Sequence, residues 1–352
     1  MSNAIEMGSA VEKTHWTSSE IQKLFRLDER VKSRQTLFNA EDRGEIPKAA
    51  RIARGKQQIR QWTADQLPEI GRRFGFLEKP NKTEVICVYT AKGGVLKTTL
   101  SYSLARILAI NGIRTVVVGL DIQCSITDIA LPQKEVLSLE ESGQRRRGLY
   151  HHLFEKIPLE DVIQKTSLPT LDIIPETSDL NVLEKKLRLE PRREYVLKDR
   201  LLPKLLQYDV VIFDNGPSWN QLIENALTAA STILSPIGCD LGTYQALQTN
   251  LATLAEFQSA MKIDWENFIL VPTLLEKTKL SQQIYGAYLN QYGEKIVPIP
   301  IRRGVKGQEA LVLKQSALEY DPSSPLGQDY FELAQEVWKR ITSAESRNDA
   351  EI

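Results

Sequence analysis

The sequence predicts an α/β fold: a mostly parallel sheet covered by helices, preceded by a small helical unit with a basic loop. Two observations carry that reading. Six short apolar runs, at 85–89, 115–118, 171–175, 210–214, 232–236 and 268–272, alternate with helical patterns such as 220–230 and 244–257. Strands alternating with helices form a parallel sheet buried on both faces. The first run leads through Gly93-Gly94 into a helix that opens on Lys97-Thr98, the strand–turn–helix context of a phosphate-binding loop.

In chain order, residues 1–15 read as a tail. Thr17 or Ser18 caps a first helix with Glu20 in its first turn, and Ile21, Leu24 and Phe25 recur at helical spacing. A second helical pattern carries Leu37 and Phe38 and ends near Gly44. Lys48, Arg51, Arg54 and Lys56 follow with no acid among them, and Gly55 offers a turn. Thr63-Ala64-Asp65-Gln66 opens a third helix bearing Leu67 and Ile70, after which Pro80 marks a linker. The expected division is a small unit over 16–79, a large α/β domain over 82–341 and a polar tail over 342–352. The last helix, 330–341, turns Phe331, Leu333, Ala334, Val337 and Trp338 toward the sheet.

A chain of 352 residues has room for one large domain and one small. Its net charge is zero, yet between residues 20 and 79 fourteen Lys/Arg stand against nine Asp/Glu. A nucleic-acid partner is therefore not excluded, because the local field governs the encounter. Three scattered cysteines (Cys87, Cys124, Cys239) and three histidines (His15, His151, His152) show no metal-ligand spacing, which argues against a disulfide framework or a zinc site and fits a reducing cytosol. The start lacks the basic region and apolar run of a signal peptide, and no apolar stretch reaches the roughly 18 residues of a membrane span. A cytoplasmic protein with no membrane partner is expected.

The chemistry concentrates around the glycine turn. Gly93 and Gly94 let backbone N–H groups close around phosphate oxygens, and the new helix adds the positive end of its dipole. Lys97 is expected to reach the outer phosphates and Thr98 to offer its hydroxyl to Mg²⁺, while Thr99 packs or caps. Asp214 ends an apolar strand, where its carboxylate faces the Mg²⁺ shell directly or through water. Asp121 also follows an apolar strand and is placed to orient water, or a metal-bound water, at the γ-phosphate. For both aspartates the competing reading is a plain turn cap.

Lys92-Gly93-Gly94-Val95-Leu96-Lys97-Thr98-Thr99 resembles the deviant Walker A motif of the ParA/MinD-type ATPases, the partition ParA proteins above all, and the likeness runs from about residue 84 to 341. The resemblance implies a P-loop NTPase domain that takes ATP/ADP and Mg²⁺, hydrolyses ATP and closes as a homodimer around it. It gives Lys92 the part of the signature lysine that crosses to the partner's nucleotide, and Lys97 the part played within the subunit. Leu120-Asp121-Ile122-Gln123 resembles switch I, with Asp121 as the hydrolytic aspartate. Residues 208–218 resemble the Walker B and switch II stretch around Asp214, and Ile299-Pro300 resembles the segment beside the adenine. The chain departs from the family pattern at Leu96, where glycine is usual. Gly119 replaces a common first aspartate of switch I, Ile122 a proline, and Asn215-Gly216 a small residue and proline. Slowed hydrolysis, rather than lost binding, is the expected consequence.

Residues 16–76 resemble a MerR-like winged helix-turn-helix, which larger plasmid ParA proteins use for operator binding. The charges read the same way beside it: a helix with Lys32 and Arg34 could enter a major groove, and Lys48, Arg51, Arg54 and Lys56 could hold phosphates. The alternative is a small helical domain with a solvated basic loop. On the large domain Lys277, Lys279, Arg302, Arg303 and Lys306 are candidates for sequence-independent phosphate contacts. The resemblance implies a nucleoid-associated ATP dimer that binds DNA and releases it when a centromere-binding ParB-type protein stimulates hydrolysis. A nucleotide-sensing autorepressor and a positioning ATPase for another cargo stay open beside it.

Overall fold

The computed structural model describes residues 13–30, 34–55, 57–123, 125–131 and 146–348. Lys32, Lys56 and Cys124, and the side chains of Arg34 and Arg54, lie outside the described residues.

The N-terminal unit runs β1 (His15–Thr17), α1 (Ser18–Leu24), α2 (Leu27–Arg30), α3 (Arg34–Asp42), β2 (Ala50–Arg54), β3 (Gln57–Thr63) and α4 (Leu67–Phe74). Helix α1 begins where the sequence expects it. Glu20 Oε2 accepts the Thr17 N–H at 2.7 Å, and Thr17 Oγ1 accepts the Glu20 N–H at 3.4 Å. Such a reciprocal cap contributes about 1 kcal/mol. Ile21, Leu24 and Phe25 are buried with Leu37 and the two tryptophans Trp16 and Trp62. The basic stretch is a hairpin rather than a loop: β2 pairs antiparallel with β3, and β3 with β1, giving the order β1-β3-β2. Gly55, with φ at +63°, makes its turn. Strand β1 starts at His15, inside the expected tail.

The large domain continues with β4 (Glu84–Val88), α5 (Lys97–Ile110), β5 (Thr115–Gly119), α6 (Ser125–Ala130), α7 (Leu149–Phe154), β6 (Gln164–Lys165), β7 (Leu171–Ile174), α8 (Leu180–Leu187), β8 (Val210–Asp214) and α9 (Gln221–Ala229). It closes with β9 (Thr232–Gly238), α10 (Leu241–Met261), β10 (Asn267–Thr273), α11 (Lys279–Tyr292), α12 (Val305–Val312), α13 (Ala317–Tyr320) and α14 (Pro325–Asn348). The strands order as β10-β9-β4-β8-β5-β7-β6, parallel except for the antiparallel edge strand β6. All six expected strands are present. Alternate residues feed opposite faces: Ile86, Val88 and Ile212 join one apolar cluster, while Cys87, Val211 and Phe213 join the other. Helix α14 extends through the expected stop at Ile341 to Asn348, taking in most of the polar tail. Among the described residues no helix is long and apolar enough to cross a membrane.

The stretch around Pro80 is a seam rather than a free linker. A Cβ on Gly71 of α4 would stand 1.8 Å from the Ile110 carbonyl oxygen, so only glycine lets α4 lie against the end of α5. Asn111 Oδ1 then accepts the N–H groups of Phe76 at 2.7 Å and Leu77 at 3.2 Å. Phe76 packs on Phe331 with ring centroids 4.6 Å apart, and Trp338 Nε1 donates to the Glu78 carbonyl at 2.8 Å. Arg26 reaches the Pro322 carbonyl at 3.1 Å and lies over the Phe331 ring. One apolar cluster therefore runs from Trp16 to Ile341 through both units.

Candidate functional site

Strand β4 is central in the sheet, and the phosphate loop leaves its C-terminal end between β8 and β9, the edge at which open α/β sheets bind ligands. Two loop residues are left-handed: Gly94 at φ +75° and Leu96 at φ +66°, ψ +30°. Leu96 thus adopts the backbone that glycine takes freely, and its side chain packs against the apolar core. Val95 is buried, and its carbonyl accepts from Thr273 Oγ1 at 3.1 Å, tying the loop to the end of β10. Lys97 is buried and donates to the Lys92 carbonyl at 2.8 Å, closing the turn. Burial holds its ammonium below the usual lysine range, against the opposing pull of Asp214 and Asp121. Lys92, Gly93 and Gly94 are exposed, and Thr98 and Thr99 are half-buried at the start of α5. The Lys92 ammonium lies 3.7 Å from where a Cβ on Gly242 would stand, in the turn where Asp240 caps α10.

Asp214 is fully buried at the end of β8, in register with Val88 of β4 and Gly119 of β5. Ser101 Oγ donates to its Oδ1 at 2.6 Å, while Oδ2 has no hydrogen-bond partner among the described residues. Burial pushes the carboxyl up to about 6; the Ser101 and Thr98 hydroxyls pull it down, Asp121 raises it and Lys97 lowers it. A buried carboxylate oxygen left without a protein donor, next to a threonine hydroxyl, is the oxygen set a hard divalent cation takes. Asp121 is half-buried and its Oδ1 accepts the Gln123 N–H at 3.1 Å. That turn bond is the cap expected as the competing reading, and it occupies one of the two oxygens. A Cβ on Gly216 would stand 3.0 Å from the same Oδ1, so the glycine that departs from the family pattern makes room for Asp121. Asn215, the neighbouring departure, is buried and donates to the carbonyls of Val88 and Phe213 at 3.2 Å each.

Pro300 is half-buried in a segment joined to the end of β10, where the Ile301 N–H donates to the Pro272 carbonyl at 2.9 Å. The basic candidates divide. Lys48 and Arg51 are exposed on the hairpin side, and Lys277 and Lys279 are exposed at the start of α11. Arg303 is paired with Glu276 at 3.1 Å, Lys306 with Asp321 at 2.5 Å, and Arg302 with buried Asp329 at 2.6 Å. Arg302 therefore serves the fold first. No His/Cys/Asp/Glu cluster able to hold a metal occurs among the described residues; His152 instead bonds the Ile157 carbonyl at 2.7 Å.

Sequence reasoning missed Ser101, Thr127 and Glu176. Ser101 had a readable signal, lying one helical turn beyond Lys97 on the face that meets β8. Glu176 had none. It is 2% exposed, and its Oε2 accepts the Thr127 N–H at 2.9 Å and the Thr127 hydroxyl. Burial pushes its carboxyl up to about 7, with Thr127 pulling down and Asp214 pushing further up.

A family model described as an AAA domain matches residues 83–266. The chromosome partitioning protein ParA of Caulobacter vibrioides is 32% identical over 265 residues, covering 74% of this chain and 96% of that protein. The chain belongs to the ParA family of P-loop ATPases. The sporulation initiation inhibitor Soj of Bacillus subtilis is 30% identical over 255 residues, spanning 72% of this chain and 98% of Soj. The cell division protein PomZ of Myxococcus xanthus is 30% identical over 254 residues, covering 72% of this chain and 77% of PomZ. The fold likewise matches apo McdA of Cyanothece, with a TM-score of 0.61 at 18% identity over 72% of this chain and 98% of that one. Cobyrinic acid a,c-diamide synthase of Mycobacterium smegmatis, solved with an ATP analogue and magnesium, aligns at a TM-score of 0.54 and 27% identity over 68% of this chain and 91% of that one. This ParA-family chain is thus a Walker-type ATPase of the partition and positioning kind.

Proposed function

We propose that the chain is a DNA partition ATPase whose homodimer closes around ATP, binds nucleoid DNA and lets go after hydrolysis stimulated by a ParB-type centromere-binding protein. The observation that carries the reading is the pairing of a closed loop, sealed by Lys97, with an exposed Lys92 beyond its mouth. Thr98 and Asp214 would hold Mg²⁺, which supplies charge neutralisation between the outer phosphates. Lys97 neutralises the chain's own nucleotide. Asp121 keeps one oxygen free of its turn bond to orient the attacking water. Lys92, exposed outside the turn that Lys97 closes, would act when a second copy brings its nucleotide to it. Ile122, Trp219, Leu241 and Tyr244 are exposed apolar residues, each just beyond the C-terminal end of β5, β8 or β9, and that edge is the face such a closure covers.

DNA binding draws on two surfaces. Lys277 and Lys279 of the large domain, with Lys306 and with Arg303, whose N–H donates to the Leu275 carbonyl at 3.0 Å, would supply sequence-independent contacts. The β1-α1-α2-α3-β2-β3 topology with its basic hairpin supports a winged helix-turn-helix reading of residues 16–79, with Arg34 at the start of the groove helix α3 and Lys48, Arg51 and Arg54 on or beside the wing. That topology favours one second role, autorepression at a specific operator. The test is retention of non-specific duplex DNA with ATP, ADP or no nucleotide, for wild type, Lys92→Ala and Lys97→Ala. Retention is expected with ATP alone and lost in both variants; retention indifferent to nucleotide and to both substitutions refutes the proposal. A footprint at one promoter without ATP turnover would assign autorepression instead.

A further inference from the structure

Gly119 sits where the family pattern has an aspartate, and Glu176 fills the space that side chain would need. Strands β5 and β7 are neighbours, with Val118 opposite Ile174, so Gly119 at the end of β5 and Glu176 just past β7 share a corner of the sheet. A Cβ on Gly119 would stand 2.5 Å from Glu176 Cδ and 2.6 Å from its Cγ, so a side chain at 119 and the glutamate at 176 exclude each other. Glu176 Oε1 comes within 2.9 Å of that missing Cβ and has no hydrogen-bond partner among the described residues. The carboxylate that the pattern hangs on β5 is here delivered from β7.

We infer that Glu176 is the positioning residue for Asp121, gripping the start of α6 so that the switch I aspartate is held between two anchors. The first anchor precedes Asp121: the Leu120 N–H donates to the Asp214 carbonyl at 2.8 Å. The second follows it. Glu176 Oε2 takes the Thr127 N–H at 2.9 Å and its hydroxyl, and the Glu176 N–H donates back to Thr127 Oγ1 at 2.8 Å. Thr127 and Glu176 are both buried, so water does not compete for these bonds. Asp121, half-buried and held among the described residues by the Gln123 amide of its own turn, depends on the two anchors for its place. The benefit to hydrolysis rests on the proposed role of Asp121; the clamp itself does not.

The experiment measures two quantities on the full chain. Hydrogen exchange at the Gln123 and Thr127 amides of the nucleotide-free protein reads the clamp, and steady-state ATP turnover with DNA reads its consequence. Glu176→Ser is expected to speed exchange at both amides and to lower kcat about tenfold with KM for ATP little changed, the mark of a displaced catalytic group. Glu176→Gln, which keeps shape and an acceptor oxygen, recovers most of the protection. Gly119→Asp alone is damaging because it collides with Glu176, whereas Gly119→Asp in the Glu176→Ser background restores kcat and protection. Unchanged exchange in Glu176→Ser overturns the clamp, as does a double variant no better than Glu176→Ser. Lost protection with unchanged kcat keeps the clamp and removes Asp121 from hydrolysis.

Discussion

Leu96→Ala and Leu96→Gly differ by one methyl group, and the backbone at Leu96 sets which is the more stable. Inside an ordinary helix or loop with negative φ, alanine is the more stable of the two by roughly 1 kcal/mol. Here φ is +66°, and any L side chain in that region carries about 1–2 kcal/mol of steric cost that glycine does not. Both substitutions lose the same half-buried leucine packing, roughly 1 kcal/mol. Leu96→Gly also releases the strain but takes on glycine's extra chain entropy, roughly 0.5–1 kcal/mol, so the variant stays within about 1 kcal/mol of wild type. Leu96→Ala keeps the strain without the packing and falls about 1 kcal/mol below it. Urea unfolding of the nucleotide-free chain, compared at constant m, reads the order. An alanine variant as stable as the glycine variant would refute the argument. Because the leucine faces the core, ATP turnover of Leu96→Gly is expected to remain near the wild-type rate.

Removing one member of the buried Arg106–Glu319 pair, whose two bonds are both 2.7 Å, should destabilise the chain strongly. Arg106→Met leaves a buried carboxylate uncompensated and costs about 3–5 kcal/mol, most of it recovered in Arg106→Met/Glu319→Leu; urea midpoints of the three proteins decide it. Gly71→Ala drives a methyl group into the Ile110 carbonyl at 1.8 Å, so the seam opens and proteases cut within 75–82, while nucleotide binding persists; an uncut variant counts against the seam. The folded chain raises the Glu176 carboxyl from 4.5 to about 7, so it holds a proton the unfolded chain has lost. Its stabilisation is complete below about 4.5 and fades as pH rises through about 7. Glu176→Gln should therefore make the fall in thermal stability between pH 5 and 8 shallower, leaving the part due to Asp214, whose carboxyl is raised to about 6; melts that keep the full wild-type slope would contradict this.

The strands and the phosphate loop were legible because each is local: an apolar run, a glycine pair, a lysine and a threonine at a helix start. The edge strand β6 was not, since two residues with one apolar neighbour make no pattern, and β1 was hidden in a polar start whose partner strand, β3, lies more than forty residues on. Thr17 and Glu20 announced their cap. Gly119, Leu96 and Gly216 were visible as departures, yet their reasons were not. Gly119 answers to Glu176 across two strands, Gly216 to Asp121 across two loops, and Leu96 to a backbone angle that no residue type announces. Arg303 and Lys306 read as free charges until Glu276 and Asp321 were found beside them. The stretch around Pro80 read as a linker because proline is a local signal, whereas the packing that ties Phe76, Leu77 and Glu78 to Asn111, Phe331 and Trp338 is not.

Helix α5 has its first residue in the phosphate loop and its last beneath Gly71 and Asn111. Its 14 residues make a rod about 21 Å long. The N-terminal unit is therefore no transplantable cassette. A chimera that grafts residues 16–79 onto another ATPase must carry over the last turn of α5 and the face of α14 that receives Phe76 and Glu78, or it will expose the core it was cut from.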